Sequence, residues 1–382
     1  DVSEKSGLAD ARWSVSAPWL DYDNDGDLDV YVANYLEYDA GKFRSYYAAA
    51  GYPGPLSYAG QSDALYRNNG DGTFTDVTKV AGLFNADGRA MSAIASDIDD
   101  DGFIDIYVAN DAMENYFYRN TGKGTFESKG LMMGMAFGEH GQGTSSMGPA
   151  VGDVDLDGRL DIFVPDMGYG SLLMNRGKSF DDLITVSRLA VICGQYTGWG
   201  AVLFDYDNDS DLDVYVSNGN AHHEYPEEDV LAANDGNGKF SDVARGAGPY
   251  FAEKHVGRGA TYGDYDNDGD LDLLVVNLNG AARLLRNDGG NRGHWLEVRA
   301  VLPGGHIDAI GARVTATIGE RKLVREVNGA TGYLSQADLR AHFGLGSVER
   351  VDQVEIRWPD RSVQRLEDVP ADQLLTVVQG EK

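Results

Sequence analysis

The sequence predicts an all-β protein, a β-propeller of acidic repeats followed by a small C-terminal β domain. Three observations carry this reading. The stretch DYDNDGDLDVYV at residue 21 recurs as DIDDDGFIDIYV at 97, DVDLDGRLDIFV at 153, DYDNDSDLDVYV at 205 and DYDNDGDLDLLV at 264. Each copy runs into β-branched and aromatic residues, the composition of a strand. Repeats of about 55 residues that each hold about four strands are the unit of a propeller, which limits exposed sheet edges by radial repetition.

Length and charge agree with this organisation. The chain has 382 residues, 42% of them hydrophobic, enough for one large domain or two ordinary ones. No apolar run approaches the roughly 18 residues of a membrane-spanning helix, so no membrane insertion is expected. The net charge of −29 is uneven. Residues 1–290 hold 20 Lys+Arg against 48 Asp+Glu, whereas residues 291–382 hold 12 against 13. The divide places the propeller at 1–290 and the β domain at 291–382. This acidity argues against nucleic acid or anionic membrane as partner, because both require a basic face. Cys193 is alone, so no internal disulfide forms, and a lone Cys reads as a small buried hydrophobe.

At the N-terminus, DVSEKSGL (1–8) matches DVTKVAGL (76–83), the tail of a unit. The chain therefore starts in the middle of a repeat. Either this piece completes the last blade or further blades lie upstream; with no leader-like segment at Asp1, any secretory signal is read as already removed. The acidic motifs are spaced 76, 56, 52 and 59 residues apart. The long first step is an insertion around 38–63 whose Tyr46, Tyr47, Tyr52 and Tyr58 suggest an ordered loop. A second motif follows each acidic one: LYRNNGDGTFTDVT from 65, FYRNTGKGTF from 117, LLMNRGKSF from 172, LAANDGNGKFSDV from 231 and LLRNDGGN from 284. Its Asn and Gly residues suit hairpin turns. In the last quarter WLEVRAV, ARVTATIG, KLVREV, QVEIRW and LLTVVQ alternate as strands, and SQADLRAHFGLGS suggests one helical turn. Arg313, Arg325, Arg340, Arg357 and Arg365 could form a ligand face, although a scatter of solvated arginines is the simpler reading.

The acidic motifs carry the chemistry. Numbering each loop from its first residue, positions 1, 3, 5 and 9 are Asp in all five copies: Asp21, Asp23, Asp25 and Asp29; Asp97, Asp99, Asp101 and Asp105; Asp153, Asp155, Asp157 and Asp161; Asp205, Asp207, Asp209 and Asp213; Asp264, Asp266, Asp268 and Asp272. Close-set hard oxygens around a turn suit Ca²⁺, usually with a backbone carbonyl from position 7. That position is Asp27, Phe103, Arg159, Asp211 and Asp270. No His or Cys interleaves, which disfavours softer metals. An EF-hand needs Glu at position 12 and a following helix, but position 12 is Val32, Val108, Val164, Val216 and Val275 and a strand follows. About five structural Ca²⁺ ions are expected, each pinning a turn within a blade. Position 6 is Gly except for Ser210, so the fourth loop is expected to bind most weakly.

These loops resemble the FG-GAP/VCBS repeats of integrin-type and bacterial surface propellers. HWLEVRAV at 294, IGARVTATIG at 310, REVNGATGYLSQADLRAHFGLG at 325 and VDQVEIRWPDRSVQRLEDVPADQLLTVV at 351 resemble the ASPIC/UnbV domain. Repeats followed by that domain are similar to the cartilage acidic protein family. The resemblance implies a secreted or cell-surface location, with the periplasm a bacterial equivalent, together with calcium binding, adhesion or matrix contact, and no established catalytic machinery. It also implies seven blades, where five units are visible here.

Enzyme signatures are absent from the sequence: no G-x-S-x-G, H-E-x-x-H or P-loop occurs. His222, His223 and Glu224 cluster in NGNAHHEYPEE, and His140 lies in GEHGQGTSS, without a third ligand at metal spacing. The leading reading is a calcium-stabilised, non-enzymatic protein that binds protein or glycan at a cell surface or matrix. Beside it stand a structural subunit that self-assembles through blade edges or the C-terminal domain, and a polysaccharide-active propeller enzyme.

Overall fold

The computed structural model describes residues 1–39, 53–221 and 225–381. Among these, five antiparallel sheets form the repeat region. The second is typical: Ala90–Ser96, Asp105–Asn110, Tyr116–Asn120 and Phe126–Ser128 pair in sequence order, each with the next. The third and fourth sheets repeat this order from Ala150–Gly152 and Gly198–Phe204. In the first, Pro18 interrupts the initial strand, so that Ser14–Ser16 and Trp19–Leu20 both pair with Asp29–Asn34. Proline has no N–H to give the ladder and breaks it there. The fifth sheet has three strands, Gly257–Gly263, Asp272–Asn277 and Arg283–Leu285, and leaves Leu274, Val276 and Leu284 exposed.

Because successive strand residues face opposite sides, each sheet supplies apolar side chains to both neighbours. Ala93 and Ala95 join Leu20, Tyr31 and Leu65 in the core between the first two blades. Ile94 on the same strand joins Ile162, Val164 and Leu173 of the third. Separate cores join the third blade to the fourth through Phe163, Leu203 and Val214, and the fourth to the fifth through Val202, Tyr215 and Leu273. Among the described residues no such cluster joins the fifth blade to the first. Central strands buried on both faces, such as Asp105–Asn110 and Asp213–Asn218, are the physical result.

The N-terminal segment behaves as a unit's tail but does not complete the last blade. Leu8 packs against Val30, Ala64, Tyr66 and Phe74 of the first blade. Of the insertion, Tyr38 and Tyr58 pack at a tilt with 5.3 Å between ring centroids, and Leu36 bridges to Gly60. Tyr46, Tyr47 and Tyr52 lie outside the described residues, as do His222, His223 and Glu224.

The strands of the last two sheets lie between residues 294 and 378. One sheet orders Ala341–Gly346, His294–Val301 and Gln373–Val378, the other Arg321–Glu326, Arg313–Ile318, Arg350–Arg357 and Val363–Pro370. They enclose a core of Leu296, Val314, Phe343, Ile356 and Trp358. The helical turn expected within SQADLRAHFGLGS is instead a bend and a strand, because Ala341, Phe343 and Leu345 alternate into that core. From this domain, the segment 329–336 enters the centre of the repeat region. The Ser92 hydroxyl donates to the Gly332 carbonyl (2.9 Å), the Gly332 N–H donates to Pro149 O (2.8 Å), and the Thr261 hydroxyl donates to Gln336 O (2.6 Å). Trp199 meets Tyr333 edge-on at 5.1 Å. The segment thus touches the first strands, or the residues leading into them, of four blades, and a Cβ at Gly329 would lie 3.2 Å from Trp19 O of the remaining one.

Candidate metal centres

Every acidic loop joins the first strand of a blade to its second, and position 9 is the second strand's first residue. One hydrogen-bond scheme repeats in all five. The position-1 carboxylate accepts the N–H groups of positions 5 and 6: Asp21 from Asp25 and Gly26, Asp97 from Asp101 and Gly102, Asp153 from Asp157 and Gly158, Asp205 from Asp209 and Ser210, Asp264 from Asp268 and Gly269. The position-5 carboxylate accepts the N–H of position 7, which is Asp27, Phe103, Arg159, Asp211 or Asp270. The position-9 carboxylate accepts the N–H of position 2 on one oxygen, as Asp29 does from Tyr22 and Asp161 from Val154.

The other oxygen of position 9 reveals residues that the repeat count did not single out. Asp29, Asp105, Asp161, Asp213 and Asp272 accept the backbone N–H of Asn68, Asn120, Asn175, Asn234 and Asn287. The same Asn side chains donate to the position-8 carbonyl of their own loop. Four reach further, to the position-2 carbonyl of the preceding blade's loop: Asn120 to Tyr22 O, Asn175 to Ile98 O, Asn234 to Val154 O and Asn287 to Tyr206 O. The signal was visible as the one Asn common to all copies of the second motif, which reads as a hairpin residue until its partners are seen.

The scheme leaves cation-ready oxygens. Positions 1, 3 and 9 of the first four loops, and Asp264, Asp266 and Asp268 of the fifth, each bring carboxylate oxygens within 4.8 Å of one another. Asp23, Asp99 and Asp155 each hold a buried Oδ1 with no hydrogen-bond partner. Crowded, desolvated carboxylates resist ionisation. Burial, ahead of neighbouring Asp charges, raises Asp161 and Asp205 to about 8, Asp29 to about 7, and Asp21 and Asp153 to about 6. A hard divalent cation removes that cost, and an all-oxygen donor set fits Ca²⁺. Among the described residues these five groups are the clusters able to hold a metal; His140 lies outside them, and its N–H meets Gln142. Cys193 is buried, and burial raises its thiol to about 12.

The arginines read as a solvated face are mostly not solvated. Arg313 is buried, and Arg325, Arg340 and Arg357 are half-buried. Three of the four bond to the acidic loops or lie beside them. Arg313 and Arg357 reach the second loop, and Arg340 donates to Asp264 O (2.7 Å) and Asn267 Oδ1 (3.0 Å) of the fifth. The fourth, Arg325, donates within its own domain to His342 O and Val324 O, in the field of Asp205 and Asp153. Only Arg365 stays exposed, paired with Glu355. The sequence could not show this, because the contacts cross more than 70 residues to another domain.

Family comparison decides what these repeats are. The FG-GAP-like repeat model matches 47–108, 97–164, 153–216 and 205–275, each match ending where the next acidic loop leads into its strand. The chain belongs to the FG-GAP-like repeat family. An ASPIC and UnbV model matches residues 303–382, giving the order of repeats and C-terminal domain that characterises cartilage acidic protein-like chains. Mouse cartilage acidic protein 1 is 26% identical over 388 residues, covering 94% of this chain and 54% of that protein; the human protein is 25% identical over 383 residues, covering 94% and 52%. The FG-GAP-like chain spans about half the length of the curated relatives it matches. Among solved structures, a Bacillus licheniformis rhamnogalacturonan lyase aligns over 96% of this chain and 72% of its own at 12% identity, with a TM-score of 0.40.

Proposed function

We propose that the chain is a calcium-binding, non-enzymatic protein of the extracellular or cell-surface environment that binds another macromolecule, protein or glycan. The observation that carries the calcium reading is the unpartnered, buried Oδ1 of Asp23, Asp99 and Asp155, set beside the position-1 and position-9 carboxylates. Asp at positions 1, 3, 5 and 9 would ligate, with the position-7 carbonyl of Asp27, Phe103, Arg159, Asp211 or Asp270 beside them. The ion would supply charge neutralisation and a fixed turn. The loops' own residues do the rest: they order the backbone through positions 1 and 5 and fasten it to the next blade through Asn120, Asn175, Asn234 and Asn287. The extracellular setting is supported by the name of the relatives, cartilage acidic protein, and by millimolar calcium outside cells, which suits the weak sites of extracellular modules. The acidity of residues 1–290 supports a partner other than nucleic acid, and 290/291 is the proposed domain divide.

Calorimetric titration of the chelated chain with Ca²⁺ should count about five sites. At calcium ten times Kd, each independent site adds roughly 1.4 kcal/mol of stability, so chelation should lower Tm by many degrees. A melting curve unmoved by EGTA would refute the structural calcium role. Binding to a panel of glycans and matrix proteins without product release would support the macromolecule-binding reading; turnover of a polysaccharide would replace it.

A further inference from the structure

The second acidic loop differs from the other four in what the C-terminal domain brings to it. Arg313, Glu326 and Arg357 stand side by side on three paired strands, with Arg313 opposite both of the others. Two guanidiniums directly opposite each other repel unless an anion lies between them. Here Asp100, at position 4 of the loop, supplies it: its Oδ1 accepts from Arg313 Nη1 at 2.6 Å and from Arg357 Nη1 at 2.7 Å. Arg313 Nη2 also donates to Asp97 O (2.8 Å), Arg357 Nη2 donates to Asp97 Oδ2, and Glu326 accepts the Asp97 N–H (3.2 Å). Within the propeller, Arg119 donates to Asp99 Oδ2 and Asp101, leaving Asp99 Oδ1 buried and unpartnered. Among the described residues, no other loop has its position-1 carboxylate bonded to a guanidinium.

Arg357 takes Asp97 Oδ2 and Arg119 takes Asp99 Oδ2, and carboxylate oxygens of Asp97, Asp99 and Asp105 still lie within 4.8 Å of one another. Charge balance agrees with simultaneous occupancy. Six carboxylates (Asp97, Asp99, Asp100, Asp101, Asp105 and Glu326) meet three guanidiniums, leaving −3 when all are ionised, which one divalent cation reduces to −1. We infer that the second loop is a composite cation site built by both domains, in which Arg313 and Arg357 position Asp97 and Asp100, so that a divalent cation and the seating of the C-terminal domain stabilise each other. This rests on the calcium reading above. Arg313 and Arg357 are positioning residues here, not ligands.

The test uses the full chain, CaCl₂ as the probe, and two readouts: calorimetric site affinities, and hydrogen exchange of strand Arg313–Ile318 in Ca²⁺ and in EGTA. Arg357→Gln should weaken one site about tenfold and leave the others, a coupling of ordinary size. Asp99→Asn should lose that site and, by the reciprocity of linkage, speed exchange of Arg313–Ile318 in Ca²⁺ about tenfold. Asp207→Asn, which touches only the fourth loop, should lose a site without that change, and Arg365→Gln should alter neither readout. Should Arg357→Gln misfold, Asp99→Asn against Asp207→Asn still decides. A wild type that binds Ca²⁺ but shows unchanged affinities in Arg357→Gln, or equal exchange in Asp99→Asn and Asp207→Asn, overturns this inference alone. A wild type that takes up no Ca²⁺ overturns the calcium reading and this inference with it.

Discussion

Ser210 occupies a backbone conformation that the other loops assign to glycine. Its φ is +91°, against +94°, +87°, +87° and +97° at Gly26, Gly102, Gly158 and Gly269. A side chain there costs about 1–2 kcal/mol, but the buried Ser210 hydroxyl donates to Gly344 O at 2.9 Å, and a hydrogen bond returns about 1 kcal/mol. Ser210→Gly removes both effects and should shift stability by less than about 1 kcal/mol, whereas Ser210→Ala keeps the strain and should cost about 1–2 kcal/mol; urea melts of the two variants distinguish them. The same balance qualifies the expectation that the fourth loop binds calcium most weakly, since the strained residue has a compensating partner. Asn175 makes the opposite case. Its side chain donates to Ile98 O and Leu160 O and accepts from Gly177 N–H, all at a buried junction. Asn175→Ala should therefore cost about 2–4 kcal/mol, measured by the same melts. The Ser210 anomaly was legible from one letter in five copies; the Asn network was not, because a recurring Asn in an Asn-Gly turn is already explained locally.

At the scale of the loop, the buried carboxylates give metal-free protein an unusual pH response. Asp161 and Asp205 move from 3.8 to about 8, Asp29 to about 7, and Asp21 and Asp153 to about 6. A carboxyl whose folded value is raised binds its proton more tightly in the folded state, so its contribution is complete below about pH 4 and is lost as pH rises through the folded value. In EGTA, stability should fall steadily from pH 4 to pH 8. Calcium needs the ionised ligands, so the stabilisation added by Ca²⁺ should grow across the same window. Thermal melts at four pH values with and without Ca²⁺ check this, and a flat chelated curve would contradict it. The loops were readable because Asp at alternate positions recurs at repeat spacing and ends in a strand. The strands Ala341–Gly346 and Val363–Pro370 are not legible in the sequence, because their identity depends on pairing with His294–Val301 and Arg350–Arg357 across a domain without repeats.

For the whole molecule, the decisive junction is the segment at the propeller's centre. Gly332 has a φ of +65°, and a Cβ there would meet Ala201 O at 3.0 Å and Ala260 O at 3.2 Å, backbone atoms of two different blades. Gly332→Ala adds conformational strain to that contact and should destabilise the chain by about 2–3 kcal/mol, loosening both domains in one transition; separate transitions in calorimetry would show the seating to be dispensable. The fold class was evident from the repeats, yet nothing in NGATGYLSQ announced that it fills the space between blades. Packing between distant segments leaves no periodic trace. Its position also sets a sequence of events. The Ser92–Gly332 bond closes a separation of 240 residues, and contacts this remote form slowly and late. During synthesis these five blades emerge from the ribosome before the peptide that occupies their axis. Until that segment arrives, the newborn repeats stand with their middle unfilled, which makes its insertion the step that commits these blades to their packed form.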